Sequence, residues 1–222
     1  SCPTEEKIGL PDAGHSQDGE KWVCDTEQIK PGCIVYSVGS NGNYLFETGM
    51  HGRFNCEIHV FDPTYLGDTT KHKYLNIHAW GIDSTTHTTQ KTEHGEPVGK
   101  PVQLKSLPDI IEELGHTGKT IDILKIDVEG FEFGVLDNTS MWKTLEFSGT
   151  EIRQVLAEIH LSGINRETFR WRDVNRYEGG VVDNLFRVMH QQGYGIFHKE
   201  VNALPQATMQ CTEYGFVKID VD

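Results

Sequence analysis

The sequence predicts an α/β fold: a central, mostly parallel, seven-stranded sheet with helices on both faces and a C-terminal antiparallel hairpin at one edge. Three observations carry this. Short runs of branched apolar residues alternate with segments of helical spacing, the pattern of a sheet covered on both sides. The first run, 33–38, leads straight into the glycine-rich turn Gly39-Ser40-Asn41-Gly42. The last two runs, 194–199 and 214–219, are joined by a loop with no room for a helical crossover, so they pair antiparallel.

Taken in order, residues 1–30 are polar and without sustained period. They read as a leader packed on the domain, with a short helix before Cys33 and little chemistry of its own; residues 31–222 form the domain. A strand at 33–38, the glycine turn, a helix at 44–50 and a strand at 57–62 make a βαβ unit. A third strand runs over 74–80 and is closed by Gly81. The stretch 84–100, rich in Thr, Gly and His, reads as a surface excursion. Apolar residues at 107, 110, 111 and 114 have helical spacing and lead into a fourth strand at 121–127, followed by a helix at 131–136. A fifth strand spans 155–160, and a helix over 181–192 is stopped by Gly193.

Composition narrows the function. A chain of 222 residues suits one domain with a substantial core. The 33 acidic residues against 20 basic give a net charge of −13, which repels phosphate backbones and anionic lipid, so no nucleic-acid partner is expected. No apolar run approaches the roughly 20 residues that span a bilayer, and the amino terminus lacks the regions of a signal sequence. Direct membrane insertion is not expected, and the chain reads as soluble throughout or trimmed.

Five cysteines stand at 2, 24, 33, 56 and 211, with no CxxC pair to suggest a zinc knuckle. Cys33 lies six residues before Gly39 and Cys56 six before Asp62. If the two strands are neighbours, both sulfurs sit at one depth and either bridge or pack as buried thiols. An odd count leaves one thiol outside any pairing. Asn138-Thr139-Ser140 is a glycosylation sequon and points, with the cysteines, to the secretory pathway, in the Golgi lumen or secreted.

The segment Asp122-Ile-Leu-Lys-Ile-Asp127-Val-Glu129-Gly130-Phe131-Glu132 is an apolar strand that ends in acids. Acids at the carboxyl end of such a strand open into the crevice where α/β proteins hold ligands, and alternation sends Asp127 and Glu129 the same way. Capping of the following helix is the competing account of the same residues.

Four segments, 35–42, 60–63, 124–130 and 158–160, resemble in order and spacing the FkbM-type methyltransferases and the animal methyltransferase-like proteins. The resemblance runs from about Gly32 to the carboxyl terminus. It implies a Rossmann-like class I fold that binds S-adenosyl-L-methionine and methylates a hydroxyl acceptor, with a sugar of a glycan as the expected acceptor. One position departs: class I enzymes commonly carry an acid two residues before the first glycine, and here Ser37 stands there. Glu47 or another acid must then meet the cofactor's ammonium.

The remaining assignments follow from the chemistry. Ser37, Gly39, Ser40, Asn41 and Gly42 form the cofactor loop, and Asp62, 23 residues after Gly39, is placed to accept the ribose hydroxyls. Trp80, Gly81 and Ile82 lie where the third strand passes the adenine, with Asp83 near its amino group. Asp127 faces both cofactor and acceptor. The catalytic candidates are Asp127, Glu129 and His160, with His160 as general base, its unperturbed pKa being about 6.5. Asp127, Glu158 and His160 alternatively offer ligands to a divalent metal such as Mg2+ or Mn2+, because carboxylates converging without a cation would repel. The stretch 162–180, with Arg166, Arg170, Arg172 and Arg176 among Phe169, Trp171 and Tyr177, suits a cover over the acceptor.

Two rival classes remain. One is an NAD(P)-dependent oxidoreductase, which also starts from a glycine loop and a ribose acid, although the third glycine of GxGxxG is missing here. The other is a secreted binding module that kept the fold without turnover.

Overall fold

A computed structural model describes residues 2–9, 19–64, 70, 72–90, 92–93, 96–97, 99–128, 130–160, 179–201 and 211–219. In chain order the elements are β1 (Glu5–Ile8), β2 (Lys21–Cys24), a 3-10 turn (Thr26–Gln28), β3 (Ile34–Val38), α1 (Leu45–Phe54), β4 (Glu57–Phe61), β5 (Asn76–His78), β6 (Trp80–Ile82), β7 (His87–Thr89), β8 (Thr92–Glu93), β9 (Glu96–Pro97), β10 (Val102–Lys105), α2 (Leu107–Glu113), β11 (Thr120–Ile126), α3 (Glu132–Leu136), α4 (Thr139–Phe147), β12 (Glu151–His160), α5 (Gly179–Gln191), β13 (Tyr194–Val201) and β14 (Cys211–Lys218).

The central sheet has seven strands in the order β13-β14-β12-β11-β3-β4-β5. Neighbours from β12 to β5 are parallel, and β14 runs antiparallel to both β12 and β13. This is the expected Rossmann-like arrangement with its terminal hairpin. From β3 the chain proceeds outward to β4 and β5, then returns to lay β11 on the other side of β3. That reversal opens a crevice at the carboxyl ends of β3 and β11, where open α/β sheets bind ligands.

The two faces are covered differently. One packs against α2 to α5 through Tyr36, Phe61, Ile110, Leu124, Trp142 and Leu185, among others. The other meets α1 through Phe46 and Met50, and the β1–β2 hairpin through Ile8 and Val23. The leader thus forms a hairpin that buries sheet surface. Gln154 of β12 fixes it, accepting from Cys24 N at 2.9 Å and donating to Cys24 O at 2.8 Å.

Three expectations are corrected here. The predicted third strand is two strands: Asn76–His78 pairs with β4 in the central sheet, whereas Trp80–Ile82 pairs with β10 in a separate three-stranded sheet with β7. The stretch read as a surface excursion contributes β7 to that small sheet. A helix absent from the sequence reading, α4, is capped by Asn138, whose side chain accepts from Met141 N. The sequon asparagine therefore holds a helix end.

Disulfides join Cys33 to Cys56 and Cys2 to Cys24. The first pairs neighbouring strands as the spacing allows; the second ties the chain start to the hairpin. Cys211 is a thiol outside both. Among the described residues no helix is long and apolar enough to cross a membrane.

Candidate functional site

The turn after β3 is built around Gly39. Its φ is +77°, and a Cβ there would lie 1.8 Å from the carbonyl oxygen of Asp127. Only glycine lets the ends of β3 and β11 come this close. Two bonds pin the contact, Asp127 N to Val38 O at 3.0 Å and the buried Lys125 Nζ to Gly39 O at 2.7 Å, while Gly39 N donates to Phe61 O of β4 at 3.0 Å.

Asp62 stands at the end of β4 beside this turn, but its oxygens are engaged in the turn itself. Oδ2 accepts from Asn41 N at 2.6 Å, Ser40 N at 3.2 Å and Ser40 Oγ at 3.5 Å, and Oδ1 accepts from Thr64 N at 2.9 Å and Thr64 Oγ1 at 2.7 Å. Burial pushes the Asp62 pKa up, yet the bonds from Thr64, Asn41 and Ser40 outweigh it and hold the carboxyl below its usual range. Its structural task is to shape the turn. Gly42 N reaches Ser40 Oγ at 3.4 Å, and Asn41 has the positive φ of 46° that asparagine tolerates.

Ser37 and Glu47 form one unit. The Ser37 hydroxyl donates to Glu47 Oε1, and both residues are fully buried. Glu47 Oε2 is buried with no hydrogen-bond partner among the described residues. A carboxylate oxygen so placed favours a cationic donor. An acid from the first turn of α1 thus stands against the hydroxyl at position 37.

A second cluster lies at the carboxyl ends of β11, β12 and the paired start of β14. Glu132, fully buried at the start of α3, accepts from Val128 N at 3.0 Å, Gly130 N at 2.8 Å and His160 Nδ1 at 2.8 Å. It both closes the turn after β11 and orients the imidazole. Glu158 is buried beside it, and β14 sets Glu213 opposite Glu158 and Cys211 opposite His160. Burial, then the Asp127 charge, raises the Glu158 pKa above its ordinary value.

The cation among these acids is Lys21, from the leader hairpin. Its buried ammonium pairs with Glu213. Burial works against that charge, but Glu213, Asp127 and Glu158 more than offset it and raise the Lys21 pKa. The repulsion that argued for a metal ion is therefore met by a side chain. Side-chain atoms of Glu158, His160 and Cys211 lie within 4.8 Å of one another, close enough to share an ion. With a thiol among them, this donor set differs from the Asp127, Glu158 and His160 set expected, and suits a zinc-type ion better than Mg2+ or Mn2+.

The structure brings together Ser37, Gly39, Ser40, Asn41, Gly42, Asp62 and Asp127 around the crevice, with Glu158 and His160 at its side. Trp80 and Gly81 belong to the smaller sheet, beside the end of β4: Trp80 stacks on Phe61 with centroids 6.3 Å apart, and a Cβ at Gly81 would lie 3.3 Å from Pro63. Trp80 holds Lys105 Nζ 3.4 Å from its ring centroid and stacks on His78 at 4.6 Å, and a Cβ at Gly81 would strike Leu104. Asp83 bonds Ser84 N at 2.6 Å. Glu129 and the arginine and aromatic stretch at 162–178 lie outside the described residues.

Sequence reasoning gave no role to Lys21, Glu132, Cys211 or Glu213. Only Glu132 carried a local signal, as an acid just after the loop it caps. The others are alternate positions of short strands, where period two tells which residues share a face but not what that face meets.

Comparison with known proteins adds family relationships. The family described as "Methyltransferase domain" matches residues 1–218. The chain is 30% identical over 173 residues to the probable methyltransferase-like protein 24 of Homo sapiens, a match covering 75% of this chain and 42% of that protein. The Rattus norvegicus counterpart gives the same identity and coverage. The chain thus spans less than half the length of these relatives. Among solved structures, Aeropyrum pernix fibrillarin in complex with natively bound S-adenosyl-L-methionine overlaps with a TM-score of 0.46 and 13% identity, over 85% of this chain and 68% of that one.

Proposed function

The chain belongs to the methyltransferase-domain family, and from that premise we propose that it transfers a methyl group from S-adenosyl-L-methionine to a hydroxyl of a sugar in a glycan. The carrying observation is the juxtaposition at the strand reversal: a glycine turn too tight for any side chain, a buried acid with an oxygen unpartnered among the described residues, and a carboxylate-held histidine.

The residues present fit the cofactor. Glu47 Oε2 would meet its ammonium, the turn at 39–42 would approach it through backbone alone, and Asp62 would hold that turn in shape. When bound, the cofactor supplies an activated methyl group on a sulfonium. The protein must then align an acceptor and take its proton.

His160 performs the second task in this reading. Glu132 engages Nδ1, which orients the ring and stabilises the imidazolium once the proton arrives. Asp127 and Glu158 border the same space and suit the hydroxyls of a polyhydroxylated acceptor. Two disulfides support an oxidising compartment, the Golgi lumen or the exterior.

The test uses the oxidised chain, methyl-labelled cofactor and an array of neutral and charged glycans, phenols and peptides. Calorimetry should detect cofactor binding that weakens about tenfold in Glu47→Gln, close to 1.4 kcal/mol. His160→Gln should bind cofactor normally and transfer no label. A folded protein that binds no cofactor, or labels only peptide or nucleic acid, would remove the proposal.

A further inference from the structure

At the end of β4 away from the crevice, Glu57, His59 and His116 bring one ligand atom each within 4.8 Å of the others. Glu57 starts β4 and Asp62 follows its end, so about 17 Å of strand separates the two places at roughly 3.3 Å per residue. We propose that Glu57, His59 and His116 form a binding site for a zinc-type divalent cation that ties β4 to the connection between α2 and β11.

The spacing fits. Glu57 Oε1 lies 3.0 Å from His59 Nε2 and 3.4 Å from His116 Nε2. A tetrahedral ion held at about 2.0–2.1 Å from nitrogen and oxygen ligands sets those ligands about 3.3 Å apart. Two imidazoles and one carboxylate are also the donor types such an ion takes.

The surrounding contacts argue in the same direction. Each imidazole presents Nε2 to Glu57 and has its other nitrogen anchored: His59 Nδ1 to His78 Nε2 at 2.9 Å, and His116 Nδ1 to Tyr36 OH at 2.8 Å. Metal-bound histidines are oriented through the second nitrogen in this way. Both imidazoles are buried, whereas the Glu57 side chain is 47% exposed, so an ion reaches the site from solvent and keeps its fourth position there. The backbone at Glu57 is fixed as well, through Glu57 N to Cys33 O at 2.7 Å and the adjoining Cys33–Cys56 disulfide.

Zn2+ titration of the full oxidised chain by calorimetry, and the visible absorption of its Co2+ form, test this. In the His160→Gln/Cys211→Ser double variant, which removes the thiol-containing donor set, the expected result is one equivalent bound in tetrahedral geometry, weakened at least tenfold when Glu57→Gln or His116→Asn is added. Glu57→Gln changes a half-exposed side chain, so it decides the matter if His116→Asn does not fold. Absence of binding by the folded double variant, or binding there left undiminished when Glu57→Gln is added, would overturn the proposal.

Discussion

Single residues at the crevice are fixed by what surrounds them more than by their type. Asp62 shows this. Sequence placed an acid there for a ligand, and the structure spends both its oxygens on Ser40, Asn41 and Thr64. Losing charge at such an acceptor costs more than losing a neutral hydrogen bond, on the order of 2–3 kcal/mol. Asp62→Asn is therefore expected to lower stability in urea by about that much at pH 7 and to weaken cofactor binding. The pH dependence has a definite sign. Because the folded carboxyl titrates below its usual 3.8, its contribution is present above about pH 4 and disappears as pH falls through the lower folded value. Wild type and Asp62→Asn should consequently converge in strong acid, and a constant gap across pH would show that the bonds to the turn contribute nothing through charge.

Elements separate what periodicity can tell from what it cannot. The strands at 34–38, 57–61 and 120–126 were legible because each is an apolar run bounded by turn residues, and the hairpin of 194–201 with 211–218 followed from loop length. The third strand was misread because Tyr74 to Trp80 is continuous in polarity, although the chain leaves the central sheet after His78. The strands inside the leader were not legible for a deeper reason. Lys21-Trp22-Val23-Cys24 puts a lysine on a buried face, a choice that makes sense only once Glu213, Glu158 and Asp127 are known to lie beneath it. Replacing Lys21 by Met should thus cost about 3 kcal/mol at neutral pH by leaving buried acids uncompensated. Glu158 already titrates above its usual 4.5, and loss of the neighbouring cation raises it further. A raised folded pKa gives stability below the unfolded value that is lost as pH rises, so the deficit of Lys21→Met in thermal melts should shrink as pH falls toward about 4.5. A deficit that stays constant across that range would show that Lys21 acts through packing alone.

At the scale of the whole molecule, a net charge of −13 surrounds a crevice that itself gathers Asp127, Glu132, Glu158 and Glu213, with Lys21 as their buried counterion. Such a field repels anionic acceptors at a distance and leaves neutral ones unaffected. The repulsion is screened over about 10 Å at 0.1 M salt and far less at lower ionic strength. If the acceptor is a neutral sugar, its methylation rate should be flat from about 0.01 to 0.3 M salt, whereas a sulfated analogue of the same glycan should start slower and gain several-fold over that range. Label transfer measured on the two acceptors side by side checks this. A sulfated acceptor preferred at low salt would require a cationic surface near the crevice strong enough to reverse the local field.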